Sequence, residues 1–99
     1  MTSYEIFLDN KARSDIQSAY DFYEEKQFGL GDQFLKRLNQ AFQALELNPF
    51  YQIRYDKVRC YPIQKFPYML HYRLEESLVV IYGVINTSMN PKEKWIKVN

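Results

Sequence analysis

The chain has 99 residues, enough for one compact domain and too few for two. Its content of 46% hydrophobic and 25% charged residues excludes a disordered segment, and no stretch approaches the ~20 apolar residues of a membrane span. Net charge is only +1 but unevenly placed: residues 1–50 hold five Lys/Arg against eight Asp/Glu, and residues 51–99 hold eight against four. A basic half of this kind suits nucleic acid, an acidic partner or a plain solvated surface, so charge alone does not choose among them.

The segment Tyr4-Glu5-Ile6-Phe7-Leu8 is short and β-favouring, and predicts a first strand. Asp9 or Asn10 can then cap a helix, because a short polar side chain accepts backbone N–H groups left free in the first turn. From Lys11, the apolar positions Ala12, Ile16, Ala19, Tyr20 and Tyr23 recur every three or four residues, which is one face of a helix. Asp15, Asp21, Glu24 and Glu25 read as its solvated side. Gly29 and Gly31 are expected to end it near Phe28. Asp32 is then placed to cap a second helix with the apolar face Phe34, Leu35, Leu38, Phe42 and Leu45. Asn48-Pro49 stops that helix, since the residue before proline is pushed out of the helical region.

The second half changes period. Val58 to Ile63, Tyr68 to Leu74 and Leu78 to Ile85 are rich in β-branched and aromatic residues and predict three strands. Lys65-Phe66-Pro67 marks a turn or edge, and Glu75-Glu76-Ser77 a tight hairpin. In the middle strand Tyr68, Leu70 and Tyr72 share one face, and Met69, His71 and Arg73 the other. The last strand is apolar on both faces, so it is expected to be central and covered. A polar tail from Asn86 to Asn99 carries Pro91 and Trp95. The order β-α-α-β-β-β is an α+β domain, a helical hairpin packed on a small, mostly antiparallel sheet.

Little in the sequence announces chemistry. There is no glycine-rich phosphate loop, no nucleophile elbow and no His/Cys cluster with metal spacing, so neither a cofactor nor a metal is expected. Cys60 stands alone and reads as a small buried residue. The opening MTSYEIFLDN lacks the basic start and apolar run of a signal peptide, so a cytoplasmic location is expected. The polar group of interest is Arg59, Lys65, His71 and Arg73 with tyrosines between them. If Arg59 and Arg73 point to one sheet face they can clamp a phosphate with bidentate hydrogen bonds. The same residues also suit ordinary exposed strand positions.

Several segments carry a more specific signal. Ala12-Arg13-Ser14-Asp15-Ile16 through Tyr20-Asp21-Phe22-Tyr23-Glu24, the turn Gly29-Leu30-Gly31-Asp32-Gln33-Phe34 and the stop Leu45-Glu46-Leu47-Asn48-Pro49 follow one another in order. They are followed by Arg59 before Lys65-Phe66-Pro67-Tyr68, and by Val84-Ile85-Asn86-Thr87-Ser88-Met89-Asn90-Pro91. Together these resemble the RelE/ParE family of toxins from type II toxin–antitoxin (plasmid stabilisation-type) systems, over nearly the whole chain. The resemblance implies a cognate antitoxin that lays an extended or helical segment over the toxin. It places that contact on the hairpin, at Ile16, Tyr20, Tyr23, Leu35, Leu38 and Phe42, and near the sheet edge at Arg59 and Tyr61. Two activities occur in the family. One branch cuts messenger RNA on the ribosome with basic side chains, for which Arg59, His71 and Arg73 are the candidates here. The other is associated with inhibition of DNA gyrase and uses no catalytic residues. The nuclease branch often has basic residues where this chain carries Met69, Asn86 and Met89, and methionine neither pairs with phosphate nor moves a proton. The resemblance therefore favours a ParE-like growth inhibitor acting on gyrase. A ribosome-dependent mRNA endonuclease is the alternative, and an inactive homologue that only binds antitoxin is the third.

Overall fold

A computed structural model of the protein describes residues 3–87. The elements run β1 (Glu5–Leu8), α1 (Asn10–Lys26), α2 (Leu30–Leu47), β2 (Ile53–Tyr55), β3 (Val58–Ile63), β4 (Tyr68–Glu75) and β5 (Leu78–Asn86). The five strands form one sheet in the order β1-β5-β4-β3-β2, parallel only between β1 and β5. The helical hairpin covers one face of the sheet. The expected α+β architecture is therefore present, with one strand more than the sequence pattern suggests; the expected tail lies largely outside the described residues.

The extra strand, β2, is three residues long and pairs only with Val58 and Arg59 of β3. Its turn, Asp56-Lys57, holds both residues at positive φ, 42° and 68°. Tight hairpin turns of this hand match strand twist but normally recruit Asn-Gly, so neither length nor turn chemistry signals it. The next hairpin behaves similarly: Glu75 pairs with Leu78 across Glu76-Ser77, and Glu76 sits at φ 58°.

Helix α1 starts where expected. Asp9 is extended and its Oδ1 accepts from the Ala12 N–H at 2.9 Å, which satisfies one of the donors a helix leaves free. Its end differs from expectation. The helix closes at Lys26, and Gly29 and Gly31 belong to the start of α2 rather than the end of α1. Asp32 does not cap α2; it lies in the first turn, where its charge favours the positive end of the helix. Gly29 occupies the cap position at φ 88°, and the capping oxygens come from α1 instead. The Glu24 carboxylate accepts from Gly29 N at 3.0 Å and Gly31 N at 2.9 Å. A residue on the preceding helix thus performs the task that sequence proximity assigns to Asp32.

The core lies between hairpin and sheet. Tyr23, Phe34, Phe66 and Tyr68 form an aromatic cluster, with Tyr23 and Phe66 centroids 4.9 Å apart and Phe34 and Phe66 5.3 Å apart at right angles. Edge-to-face pairs of this kind add about 0.5–1.5 kcal/mol each beyond the area they bury. Leu70, Tyr72, Val79 and Ile81 complete the sheet's contribution, all fully buried. The Tyr72 hydroxyl donates to Pro49 O at 2.7 Å, so the one polar atom of a buried ring also pins the end of α2. A register shift at His71/Tyr72 pairs His71 with Gly83 and Tyr72 with Ile81. That bulge brings both Ile81 and Val84 to the core, which strict alternation forbids. The outer face of β5 is half-buried at Val80 and Tyr82, with no helix over it among the described residues, so within them the strand expected to be covered is only partly shielded on that side, and the bulge adds to its apolar run.

Gly31 is where the hairpin is tightest. A Cβ there would meet the Tyr20 ring at 2.8 Å and Glu24 Oε1 at 2.9 Å. Alanine gains about 1 kcal/mol in helix propensity, but overpacking costs typically 1–3 kcal/mol, and displacement of Glu24 releases two backbone donors. Gly31→Ala is therefore expected to lower stability by about 1–2 kcal/mol, read as a lower urea midpoint at unchanged slope; a rise in midpoint would show that Tyr20 and Glu24 yield freely.

Candidate functional site

Strand β1 pairs with β5 only as far as Leu8↔Ile81, while β5 continues to Asn86. Along that unaccompanied edge the place of a strand is taken by α1. The Asp9 N–H donates to Ile81 O at 3.2 Å, and Asp15 Oδ2 then accepts from Val84 N at 3.0 Å. Lys11 holds the same carboxylate at 2.8 Å. Between helix and strand edge runs an open groove of about 480 Å³, bordered by Ala19, Phe22, Tyr68, Val84 and Ile85 with polar groups from Lys11, Asp15, Ser18 and Asn86. Its long apolar wall, half-exposed Phe22 and few polar groups suit the side chains of a bound segment better than a small polar substrate.

Asp15 was expected on a solvated face, and this is corrected. It lies on the same stripe as Ala12 and Ala19, three residues after one and four before the other, and that stripe faces β5. The spacing was visible; what it faced was not. Glu24 is corrected likewise, as the anchor of the α2 start. Asp21 and Glu25 are exposed as expected, with Asp21 accepting from Gln17.

Of the polar residues singled out in the sheet, Arg59 and Arg73 come to one recess, and His71 and Lys65 do not join them. Arg59 stands opposite Tyr72 in the β3–β4 register and so shares its face. Arg73 is the next residue and projects to the other face. The condition for a one-face phosphate clamp is therefore not met, although both arginines border a recess at the strand ends with Ile53 and Lys57. Each is also engaged. Arg59 Nη1 donates to Tyr51 O and its guanidinium lies 5.8 Å from the Phe50 ring centroid. Arg73 binds Glu75 through Nη2 at 2.6 Å and Nε at 3.2 Å, and the Tyr82 hydroxyl donates to the same oxygen. Lys65 is an exposed turn residue at φ 74°.

His71 is 3% exposed. Its Nδ1 is 2.8 Å from the Tyr55 hydroxyl, and Cys60 Sγ lies 3.7 Å from the same atom. Burial, then the Lys11 charge, push its pKa down to about 4, against a smaller upward pull from Asp15. An imidazole that stays neutral and walled in neither pairs with phosphate nor shuttles protons at neutral pH. Burial also pushes the Cys60 thiol up, away from the reactive thiolate.

Of the hairpin residues singled out from sequence, Tyr23 and Leu38 lie in the core and hold the helices to the sheet. Ile16, Tyr20, Leu35 and Phe42 are half-buried and keep part of their surface. Tyr61 is half-buried on the helix side, its ring 4.9 Å from that of Tyr51. Because β2 stops early, the outer edge of β3 beyond Arg59 has no strand paired with it among the described residues, at the stretch that carries Pro62, which has no N–H to offer a neighbouring strand. Met69 is half-buried on the His71 face, and Met89 lies outside the described residues. No group of three or more His, Cys, Asp or Glu among the described residues is placed to hold a metal. No helix among them is long and apolar enough to cross a membrane.

A family model described as the ParE toxin of the type II toxin–antitoxin system, parDE, matches residues 6–91. A solved structure described as the chromosomal ParDE TA system from P. aeruginosa has the same fold, with a TM-score of 0.73 at 15% identity, over 85% of this chain and 96% of that one. No curated protein matches the sequence.

The buried histidine has a consequence for stability. Its folded pKa lies below the unfolded value of 6.5, at about 4, so the unfolded chain takes up a proton first as pH falls. The stability it supports is complete above about pH 6.5 and is lost progressively down to about pH 4, by about 3 kcal/mol in all. Urea titrations across that window should show this fall. His71→Gln, which cannot titrate there, should flatten the curve, leaving only the carboxylate contribution. An identical pH dependence in both proteins would contradict the burial argument.

Proposed function

The chain belongs to the ParE toxin family of type II toxin–antitoxin systems, and from that membership we propose that it is a cytoplasmic growth inhibitor that acts without cutting RNA. A cognate antitoxin holds it inactive, and DNA gyrase is its target. The observation that carries this reading is the engagement of the basic side chains. RNA cleavage needs a base near the 2′-hydroxyl and cations converging where phosphate charge develops. Here His71 is buried and neutral, and the two arginines that border the recess at the strand ends are both engaged, Arg73 with Glu75 and Arg59 with Tyr51 O. Asn86 and Met69 occupy places where the nuclease branch carries basic groups, which removes further charge. Loss of a single electrostatic stabiliser typically costs on the order of a hundredfold in rate. An inhibitor that works by occupying a protein surface has no such requirement.

The antitoxin seat is the α1–β5 groove and the hairpin surface beside it, through Ile16, Tyr20, Leu35 and Phe42. An amphipathic or extended segment buries apolar side chains in such a groove and orders as it binds. Asp15 and Lys11 at its rim supply fixed polar contacts, and the half-exposed Phe22 supplies a large apolar one.

Induction of this chain alone in a bacterial host, with labelled methionine incorporation followed over the first minutes, tests the reading. Translation is expected to continue while growth fails later and cells elongate. Prompt collapse of translation would overturn it in favour of the endonuclease, and Arg59→Ala would then be expected to restore incorporation. Normal growth with soluble protein present would leave a homologue that only binds antitoxin.

A further inference from the structure

The turn between the two helices carries the most exposed large apolar side chain among the described residues: Phe28 is 95% exposed. One exposed ring needs no explanation by itself, but this one stands on a backbone that is closed from both sides. The Gln27 N–H donates to Tyr23 O at 3.1 Å, and the Leu30 N–H to Gln27 O at 3.0 Å. The Glu24 carboxylate takes the Gly29 and Gly31 N–H groups, and Gly29 supplies the left-handed φ of 88° that the turn requires. Phe22, 50% exposed, adds a second ring near the same end of α1, with Lys26 Nζ 4.7 Å from its centroid. Phe28 therefore projects from a fixed turn, and the entropic cost of ordering that turn for a contact is already met within the fold.

The tip is also acidic. Residues 20–33 hold Asp21, Glu24, Glu25 and Asp32 against Lys26 alone. Asp21, Glu25 and Asp32 are exposed, and none of them forms an ion pair with a described residue. The Tyr20 hydroxyl registers the resulting field: it donates to Asp32 at 3.5 Å, and its pKa is raised, by the Asp32 charge first and the Glu24 charge second. This charge selects what can cover the rings. Nucleic acid and an anionic membrane are repelled. Two copies of the chain meeting tip to tip would set like charges against each other. A basic protein surface with an apolar recess fits both features.

We propose that the hairpin tip, Phe28 with Asp21, Glu25 and Asp32 around it, is the surface by which the chain docks on its target. Phe28 enters an apolar recess, and the three carboxylates meet the cations of a surface that otherwise binds DNA. A protein that holds DNA neutralises phosphates with Lys and Arg, so it offers the complement that this tip lacks within its own fold. The inference rests on the reading of the chain as a non-nuclease inhibitor of gyrase, and it names the part of the chain that makes the contact. The tip lies outside the α1–β5 groove and outside the hairpin positions assigned to the antitoxin. Phe22 nevertheless borders that groove, so a segment seated there reaches the edge of the tip and shuts the target out by occupying space.

The test measures binding of the full chain to purified DNA gyrase by interferometry, with growth after induction followed in parallel. The chain is expected to bind, Phe28→Ser to weaken binding by about tenfold or more, and Glu25→Lys by about tenfold. Glu76→Lys, the same charge change in the β4–β5 hairpin, should leave binding unchanged. Because Phe28, Glu25 and Glu76 are exposed, circular dichroism should show all three variants folded. Unchanged binding by Phe28→Ser or by Glu25→Lys overturns the proposal and leaves the gyrase reading in place. Toxicity without gyrase binding overturns the gyrase reading instead, and growth then decides the tip: both variants should relieve the inhibition, and full toxicity of either sinks the proposal. Neither binding nor toxicity removes both. Self-association in sedimentation that Phe28→Ser abolishes would assign the tip to a second copy, against the proposal.

Discussion

Asp15 accepting the Val84 N–H is the contact on which the arrangement of this domain depends. A nine-residue β5 is accompanied by a four-residue β1, so five residues of its outer edge have no strand beside them among the described residues. A buried N–H without a partner costs about 1–3 kcal/mol. Here the partner is a carboxylate on a helix, and charge-assisted bonds of this type are worth roughly twice a neutral one. Fixing α1 against β5 sets the rotation of that helix. Tyr23 then falls into the aromatic cluster, and Glu24, one residue on, falls beside the start of α2. Glu24 in turn replaces the missing side-chain cap on that helix. The far end of α2 is closed by Tyr72 through Pro49. Each helix is thus tied to its neighbours by polar contacts from residues distant in sequence, at points where the local sequence supplies none.

This explains what could be seen in the sequence and what could not. Helix periodicity is a local property, so both helices and their apolar faces were legible, as was the Asp9 cap three residues before its donor. The strands were legible by composition, and the parity of β4 correctly separated Tyr68, Leu70 and Tyr72 from Met69, His71 and Arg73. Parity within one strand says nothing of the face shared with another, however. Whether Arg59 joins Arg73 depends on the cross-strand register, and that register sets Arg59 against Tyr72. The bulge at His71/Tyr72 is invisible for the same reason: it is a relation between β4 and β5, not a feature of either. Strand β2 escaped because three residues and an Asp-Lys turn carry no recurrent signal. Glu24 and Asp15 escaped because a carboxylate beside an apolar stripe looks solvated until its partner, 69 residues away in the case of Asp15, is known.

The fate of the polar residues follows from the economy of a small sheet. Among the described residues the helices cover one face of the sheet, yet Val58 and His71 on the other face are also sealed, His71 with its bond to Tyr55. A residue type that in an open site would carry protons becomes a packing element with one satisfied hydrogen bond. Arg73 and Tyr82 share Glu75 in the same way, which lowers the Glu75 pKa through hydrogen bonding from Arg73 and spreads one carboxylate over two donors. The outer face is stabilised as a surface by these pairings, which is also why it offers no converging set of free charges.

The large exposed apolar side chains fall on several parts of the surface. Phe7 and Leu78 lie on the paired strands β1 and β5, Phe22 flanks the α1–β5 groove, Phe28 marks the hairpin tip, Leu47 ends α2, and Phe50, Tyr51 and Ile53 lie in or beside the link from α2 to β2. Single exposed hydrophobic residues need no explanation, whereas grouped ones on a small domain mark surfaces that spend their time covered. The two principal groups also differ in charge: the groove rim holds Lys11 and Asp15 bound to each other, while the β2 end has Arg54 and Lys57 without ion-pair partners among the described residues. A surface whose charges are mutually satisfied selects a partner by shape and apolar fit. One whose cations are left open selects by charge as well. The two ends of this sheet therefore discriminate between partners by different physical means, and a single partner reaching both would have to be apolar along one segment and acidic along another.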